Sequence, residues 1–149
     1  MWSEKKSAIL TKIIVIVFSS CLLVSIVVAP QFVDWFIETR LIELEGTKAY
    51  FLTSFYSACF PAIILLICLY QLLANIQKDQ VFIKENTKYL RISSWCCIAV
   101  ALICVISMFY YVPYIIIGIA AAFMALTIRV IKNVFSKAIA LQEEADYTI

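Results

Sequence analysis

Few residues of this chain could perform catalysis or bind a metal. Histidine is absent, so the commonest general base and metal ligand is missing. The cysteines all lie in apolar segments, and none forms the CxxC pair of zinc or redox sites. No HExxH, DxD or GxSxG pattern occurs. The sequence therefore predicts no enzyme, no cofactor and no metal, with cysteines acting as small buried apolar side chains. They are Cys21, Cys59, Cys68, Cys96, Cys97 and Cys104.

A binding surface is better supported than catalysis, and its first part lies between the second and third apolar runs. Phe82, Asn86 and Leu90 follow one another at i, i+4 and i+8, which would place them one above another on a helix. Charged residues including Arg91 take the other side. Because an unpaired amide in an apolar stripe is costly, we expect Asn86 to bond to another part of the bundle or to a partner.

The second part of this candidate surface is the C-terminal tail. Glu143, Glu144 and Asp146 form an acidic cluster after a stretch with a helical apolar rhythm. Such clusters near a terminus are usually only solvated. Pairing between the cluster and the basic segment before the third run is the sharper hypothesis.

The elements that position these residues are apolar runs. Hydrophobic residues make up 64% of the 149-residue chain, against about 45–50% in a typical soluble domain. Four runs carry almost no charge, which favours lipid as their surroundings. We therefore predict an all-α integral membrane four-helix bundle, one domain over 1–149, with spans at about 11–32, 49–74, 92–111 and 113–134. The first run could instead be a signal peptide ending at Val27-Val28-Ala29, but Pro30 after that site and the length of the run favour an uncleaved helix.

Proline and small residues indicate how the spans pack. Pro61, in the middle of the second span, predicts a kink, with a substrate-binding notch as the sharper alternative. The fourth span carries small residues at i, i+3, i+4 and i+7, a stripe that lets helix backbones approach closely. This stripe could serve packing inside the bundle or pairing in a homo-oligomer, and it consists of Gly118, Ala121, Ala122 and Ala125.

The distribution of charge predicts the orientation. Ten of the twelve lysines and arginines lie in the N-terminal segment, the connection between the second and third spans, and the tail. The first loop, predicted over 30–48 as a short helix on the outer interface with Trp35 as its anchor, has a net charge of −2. The positive-inside rule then predicts a multi-pass protein of the cell membrane with both termini in the cytoplasm. The third helix would have an amphipathic cytoplasmic extension, and the tail would be a cytoplasmic helix.

Two cytoplasmic segments resemble a known family. The first contains Val81-Phe82, Asn86 and Leu90-Arg91-Ile92, and the second runs from Leu141-Gln142-Glu143-Glu144 through Asp146 to Thr148-Ile149. Both resemble a bacterial family of small four-span membrane proteins catalogued as a domain of unknown function. Members are often encoded beside a very small helix-turn-helix regulator of the Cro/C1 type. The resemblance implies such a regulator as a partner and implies no catalytic residue. Ala145 departs from the asparagine or glutamine expected in similar tails.

These features are compatible with three classes of function. The first is a non-enzymatic regulatory protein that sits in the lipid bilayer and scaffolds or sequesters a small helix-turn-helix regulator, with no direct contact to nucleic acid. The second is an immunity or resistance protein or a small transporter. A proton-driven exporter normally needs an ionisable group in the middle of the membrane, and the cores of the four runs contain no Asp, Glu, Lys or His, with Arg129 at the inner end of the fourth. The third, a membrane enzyme, would need a polar constellation that is absent from the sequence.

Overall fold

Four α-helices make up the described part of the chain. The computed structural model describes residues 4–39, 44 and 46–148, and contains no strand within those ranges. Each helix is long and apolar enough to cross a membrane. The predicted all-α fold of four apolar helices is therefore confirmed. The helices are α1 (Glu4–Thr39), α2 (Lys48–Gln77), α3 (Lys84–Ser107) and α4 (Tyr114–Tyr147).

Helices that are consecutive in the chain pack against each other, α1 on α2, α2 on α3 and α3 on α4. The pairs are antiparallel, because Asp34 near the end of α1 forms an ion pair with Lys48 at the start of α2, with 2.6 Å between carboxylate and ammonium. Lys12 near the start of α1 lies over the ring of Tyr70 near the end of α2. Both described chain ends and the α2–α3 turn thus share one end of the molecule, here called the terminal end.

The exterior is apolar along most of the length of the helices. Large side chains such as Phe18, Phe60 and Phe123 are more than half exposed. Such a surface is stable in lipid and would associate in water. The buried positions between the helices include small residues such as Ala125, Ser94 and Ser107 beside a few large ones. All the cysteines except Cys21, which is exposed on α1, are buried there as predicted.

Pro30 does not end α1, which corrects the predicted loop over 30–48. The helix continues through Pro30 to Thr39, while residues 40–43 and 45 of the predicted loop lie outside the described residues. Proline lacks the N–H that would bond the carbonyl of Ile26. The Tyr56 hydroxyl of α2 donates to that carbonyl at 3.1 Å. A backbone acceptor in lipid must find a partner, and here a neighbouring helix supplies one.

Tyr56→Phe should lower the free energy of unfolding by about 1 kcal/mol, because it removes the donor to Ile26 without removing the ring. In a Pro30→Ala background the restored N–H would satisfy the same carbonyl, so the same substitution should cost much less. Denaturant unfolding in detergent micelles, followed by circular dichroism, measures both values. Equal costs in the two backgrounds would show that the hydroxyl does not compensate for the proline.

The α3–α4 turn closes over aromatic rings at the end opposite the terminal end. α3 ends at Ser107, before the predicted boundary at 111, and the hydroxyl of Ser107 donates to Ser54 of α2 at 2.6 Å. Tyr110 also donates to Ser54, at 2.8 Å, and its ring lies 4.9 Å from that of Phe51. The turn therefore joins α2 as well as its own two helices.

Candidate functional site

The α2–α3 turn at the terminal end is held by one amide side chain. Asn86 is completely buried. Its Nδ2 donates to the carbonyls of Gln80 and Val81, at 2.9 and 2.7 Å. Its Oδ1 accepts from Nδ2 of Asn75 at 2.8 Å. The expectation that Asn86 bonds to another part of the bundle is confirmed, because these contacts join the end of α2, the turn and the start of α3.

The backbone of the turn explains why the loop is so short. Asp79 has a φ of +60°, the left-handed conformation that closes a helix C-terminus. The N–H groups of Asp79 and Gln80 bond back to the carbonyls of Ile76 and Asn75. The chain then runs through Ile83, whose backbone is extended, and enters α3 at Lys84. This geometry fixes the place where α3 begins.

Phe82 lies in the turn and not on a helix, so the predicted continuous stripe of Phe82, Asn86 and Leu90 is wrong at its first member. The extended backbone at Ile83 separates Phe82 from α3. Asn86 and Leu90 lie on α3 and are buried, whereas Phe82 is about half exposed. Its ring packs against Phe135 of α4, with 5.5 Å between centroids.

The tail of α4 is attached to the start of α3. Lys84 and Glu143 form an ion pair at 2.9 Å, which confirms for Glu143 the hypothesis that the acidic cluster pairs with the basic segment. The hydrogen bond that Lys84 donates to Glu143, followed by the charge of that carboxylate, raises the pKa of Lys84 above its usual value. A raised lysine pKa means that the pairing is complete at neutral pH and is lost only as the pH rises through that higher pKa. Both side chains are largely exposed, so the pair orders the tail more than it stabilises the fold.

A polar groove lies between the start of α3 and the tail of α4, here called the terminal groove. Its volume is about 450 Å³. The hydroxyl of Thr87 is buried on the α3 side and has no hydrogen-bond partner in the described part of the chain. The groove is lined by Lys84, Thr87, Lys88, Arg91, Ser136, Ile139, Ala140 and Glu143.

Beyond the groove, the last two turns of α4 are exposed on all sides. Leu141 is 64% exposed and Tyr147 is 92% exposed. Glu144 and Asp146 are also exposed and form no ion pair with other described residues. The predicted partner-binding residues thus divide into two sets. Asn86 and Leu90 are inside the fold, and the accessible ones are Phe82, Arg91, Glu143, Glu144 and Asp146.

Only some residues of the small-residue stripe of α4 are buried against α3. Gly118 and Ala125 are buried, and the Ser94 hydroxyl donates to the carbonyl of Ala125 at 3.0 Å. Ala121 is half-buried and Ala122 is exposed. Pro61 is buried inside α2, which continues through it, and the kink stays a prediction.

Several important residues were missed by sequence reasoning. Trp95 of α3 lies against Arg129 of α4, whose guanidinium carbon is 5.5 Å from the ring centroid. Tyr56, which bonds α1, and Ser107, which bonds Ser54 of α2, were also missed. Each joins two helices, so no local spacing indicates it. Among the described residues, no group of three acidic or cysteine side chains is placed to hold a metal ion.

These features define the class of protein: a multi-pass α-helical membrane protein. The chain belongs to the family described as protein of unknown function DUF2975, whose model matches residues 9–149. This confirms the resemblance to a four-span family of unknown function. No curated protein and no solved structure gives a significant match to the chain.

Proposed function

We propose that this chain is a non-enzymatic membrane protein whose terminal end faces the cytoplasm and there holds a small helix-turn-helix transcription regulator. The orientation is supported by the charge distribution. Basic residues surround the terminal end, from Lys12 on α1 through Arg91 on α3 to Lys137 on α4, whereas at the opposite end Lys48 is neutralised by Asp34. The positive-inside rule places the basic end in the cytoplasm.

The observation that carries the proposal is the exposed, ordered tail beside the terminal groove. From Tyr114 to Leu141, α4 extends about 40 Å, which exceeds a hydrocarbon core of about 30 Å. Leu141 and Tyr147 therefore stand outside the membrane as exposed apolar side chains on a helix held by Lys84 and Glu143. An exposed apolar surface with a polar rim is typical of a protein-binding site.

The charge of the tail suits a DNA-binding partner. Such proteins carry a basic face that neutralises phosphates. Glu144 and Asp146 are exposed and unpaired by any other described residue, so they are available to that face. In this proposal the tail competes with DNA for the regulator, and release of the tail frees the regulator to bind its operator.

The test is co-purification of the full chain with the regulator encoded beside it, in mild detergent. Leu141→Asp should reduce recovery of the regulator at least tenfold, because it places a charge in the apolar contact. Gln142→Asp is the matched control, since it adds the same charge one residue away on an exposed position and should leave recovery within twofold.

Equal recovery with both variants, or no recovery with the unchanged chain, would contradict the proposal. A toxin challenge of a deletion strain covers the alternative. Suppose that the deletion strain is sensitive to the toxin and that the unchanged chain and Leu141→Asp restore resistance equally. With no change in the regulator's target genes, that result would replace the regulatory function with immunity.

A further inference from the structure

A cleft with three cations lies next to the terminal groove, at the α3–α4 interface. Arg91, Arg129 and Lys132 line it, and none of them forms an ion pair with another described residue. No acidic side chain lines it. Three like charges held together without a counter-charge repel one another, so the site is complementary to an anion. We call it the basic cleft; its other lining residues are Ser94, Trp95 and Asn133.

The depth of the basic cleft corresponds to a lipid headgroup. Along α3, Arg91 lies about 24 Å from Ser107, and along α4, Arg129 lies about 22 Å from Tyr114, at 1.5 Å per residue. The backbones of both arginines therefore lie about 6–8 Å inside the inner edge of a hydrocarbon core of about 30 Å that starts in the aromatic turn, a gap that their long side chains can bridge. At this level the long stems of arginine and lysine lie in lipid while their charges reach the phosphates.

Trp95 holds one of the three cations in place. Its ring is exposed, and the guanidinium carbon of Arg129 lies over it, 5.5 Å from the ring centroid. Stacking on an aromatic face restrains the guanidinium and leaves its N–H edge free. A restrained guanidinium with free donors binds phosphate through two parallel hydrogen bonds.

An apolar groove leads from the basic cleft along the α3–α4 interface toward the aromatic turn. It has a volume of about 420 Å³ and shares Ser94 and Arg129 with the cleft. Its floor is the small-residue stripe at Gly118, Ala122 and Ala125. The groove exists because these residues lack the bulk to fill the space between neighbouring large side chains.

We infer that the basic cleft and the α3–α4 groove together bind one anionic phospholipid, with its phosphate on Arg91, Arg129 and Lys132 and an acyl chain along the groove. A zwitterionic headgroup would bring a quaternary ammonium toward three unpaired cations, so an anionic headgroup is preferred. The groove distinguishes a lipid from a free phosphate, since only a lipid also fills the apolar space.

The experiment is native mass spectrometry of the full chain in detergent micelles, titrated with phosphatidylglycerol or with phosphatidylcholine of the same acyl chains. Phosphatidylglycerol should bind at least tenfold more tightly. Arg129→Gln and Lys132→Gln should each weaken it about tenfold, because each removes a charge-assisted contact. Both avoid Arg91, which also lines the terminal groove, so a lipid effect is separable from loss of the regulator. Lys137→Gln, an exposed lysine of the same helix outside the cleft, is the control.

A second variant tests the groove. Ala122→Phe should weaken long-chain phosphatidylglycerol about tenfold and leave a short-chain analogue unchanged, because only the long chain needs the space. Inorganic phosphate at millimolar concentration should not displace the lipid. Equal binding of the two headgroups, an effect of Lys137→Gln as large as that of Arg129→Gln, or displacement by inorganic phosphate would each overturn the inference.

Discussion

Asn86→Ala should lower the free energy of unfolding by about 2–4 kcal/mol and loosen the terminal end. The substitution removes three short hydrogen bonds and leaves the carbonyls of Gln80 and Val81 and the amide of Asn75 without that partner. A net hydrogen bond contributes about 1 kcal/mol, and a buried polar group left unpaired adds about 1–3 kcal/mol. The side chain is completely buried, so water cannot replace the lost partners without opening the turn.

A graded series identifies which bonds matter. Asn75→Ala removes only the bond to Oδ1, which it leaves buried and unpaired, and should cost about 1–3 kcal/mol, less than Asn86→Ala. Asn86→Asp keeps an acceptor for Asn75 but cannot donate to the two carbonyls, so its cost should lie close to that of Asn86→Ala. Lys88→Ala, an exposed change on the same helix, should be nearly neutral. Denaturant unfolding in micelles gives the values, and hydrogen exchange of residues 78–84 reports the local opening.

A cost of Asn86→Ala no greater than that of Lys88→Ala would contradict the structural role. It would also favour the alternative that the amide of Asn86 bonds to a partner. The outcome therefore bears on the regulator proposal, which at present assigns partner contacts to the exposed residues only.

The sequence predicts most of the fold because each span is decided by local composition. An uncharged apolar run prefers hydrocarbon whatever its neighbours are, and small residues at helical spacing predict a close interface. The same logic anticipated the bonding of Asn86, because an amide in an apolar stripe must find a partner. It also anticipated the attachment of the tail through Glu143, since opposite charges were present on two segments at the same end.

Contacts between helices explain what could not be predicted. Pro30 predicts the end of a helix, because it lacks the N–H that would bond the carbonyl of Ile26. The hydroxyl of Tyr56 donates to that carbonyl instead, and only the structure shows this contact. Phe82 reads as part of α3 because periodicity does not register the extended backbone at Ile83. The stacking of Trp95 on Arg129 depends on the register between α3 and α4, which no local pattern fixes. Local patterns therefore identified segments that do lie together at one end of the bundle, whereas only the structure shows which of their residues are accessible.

Gly118→Leu should lower the free energy of unfolding by about 3 kcal/mol or more. A Cβ at position 118 would lie 3.2 Å from the Cβ of Cys104 and 3.6 Å from the carbonyl oxygen of Ala101. Both neighbours are close to or part of the α3 backbone, so they cannot rotate away, and three more carbons would force the helices apart. Overpacking of this kind costs about 1–3 kcal/mol and sometimes more. Ala120→Leu, an exposed change of similar size two residues along α4, is the control and should be nearly neutral.

Two substitutions of Gly118 decide whether the small-residue stripe packs within one chain or joins two copies. If Gly118 packs against α3 within one chain, Gly118→Leu lowers stability at every protein concentration. Gly118→Ala should then have a smaller effect. Its single added carbon must be accommodated at 3.2 Å from Cys104, but alanine favours the helix by about 1 kcal/mol relative to glycine. If the stripe joins two copies instead, Gly118→Leu changes the mass of the particle in light scattering and leaves the unfolding of the monomer unaltered. Because the buried members of the stripe, Gly118 and Ala125, both face α3, we expect the first result. The exposed Ala122 then remains open to lipid.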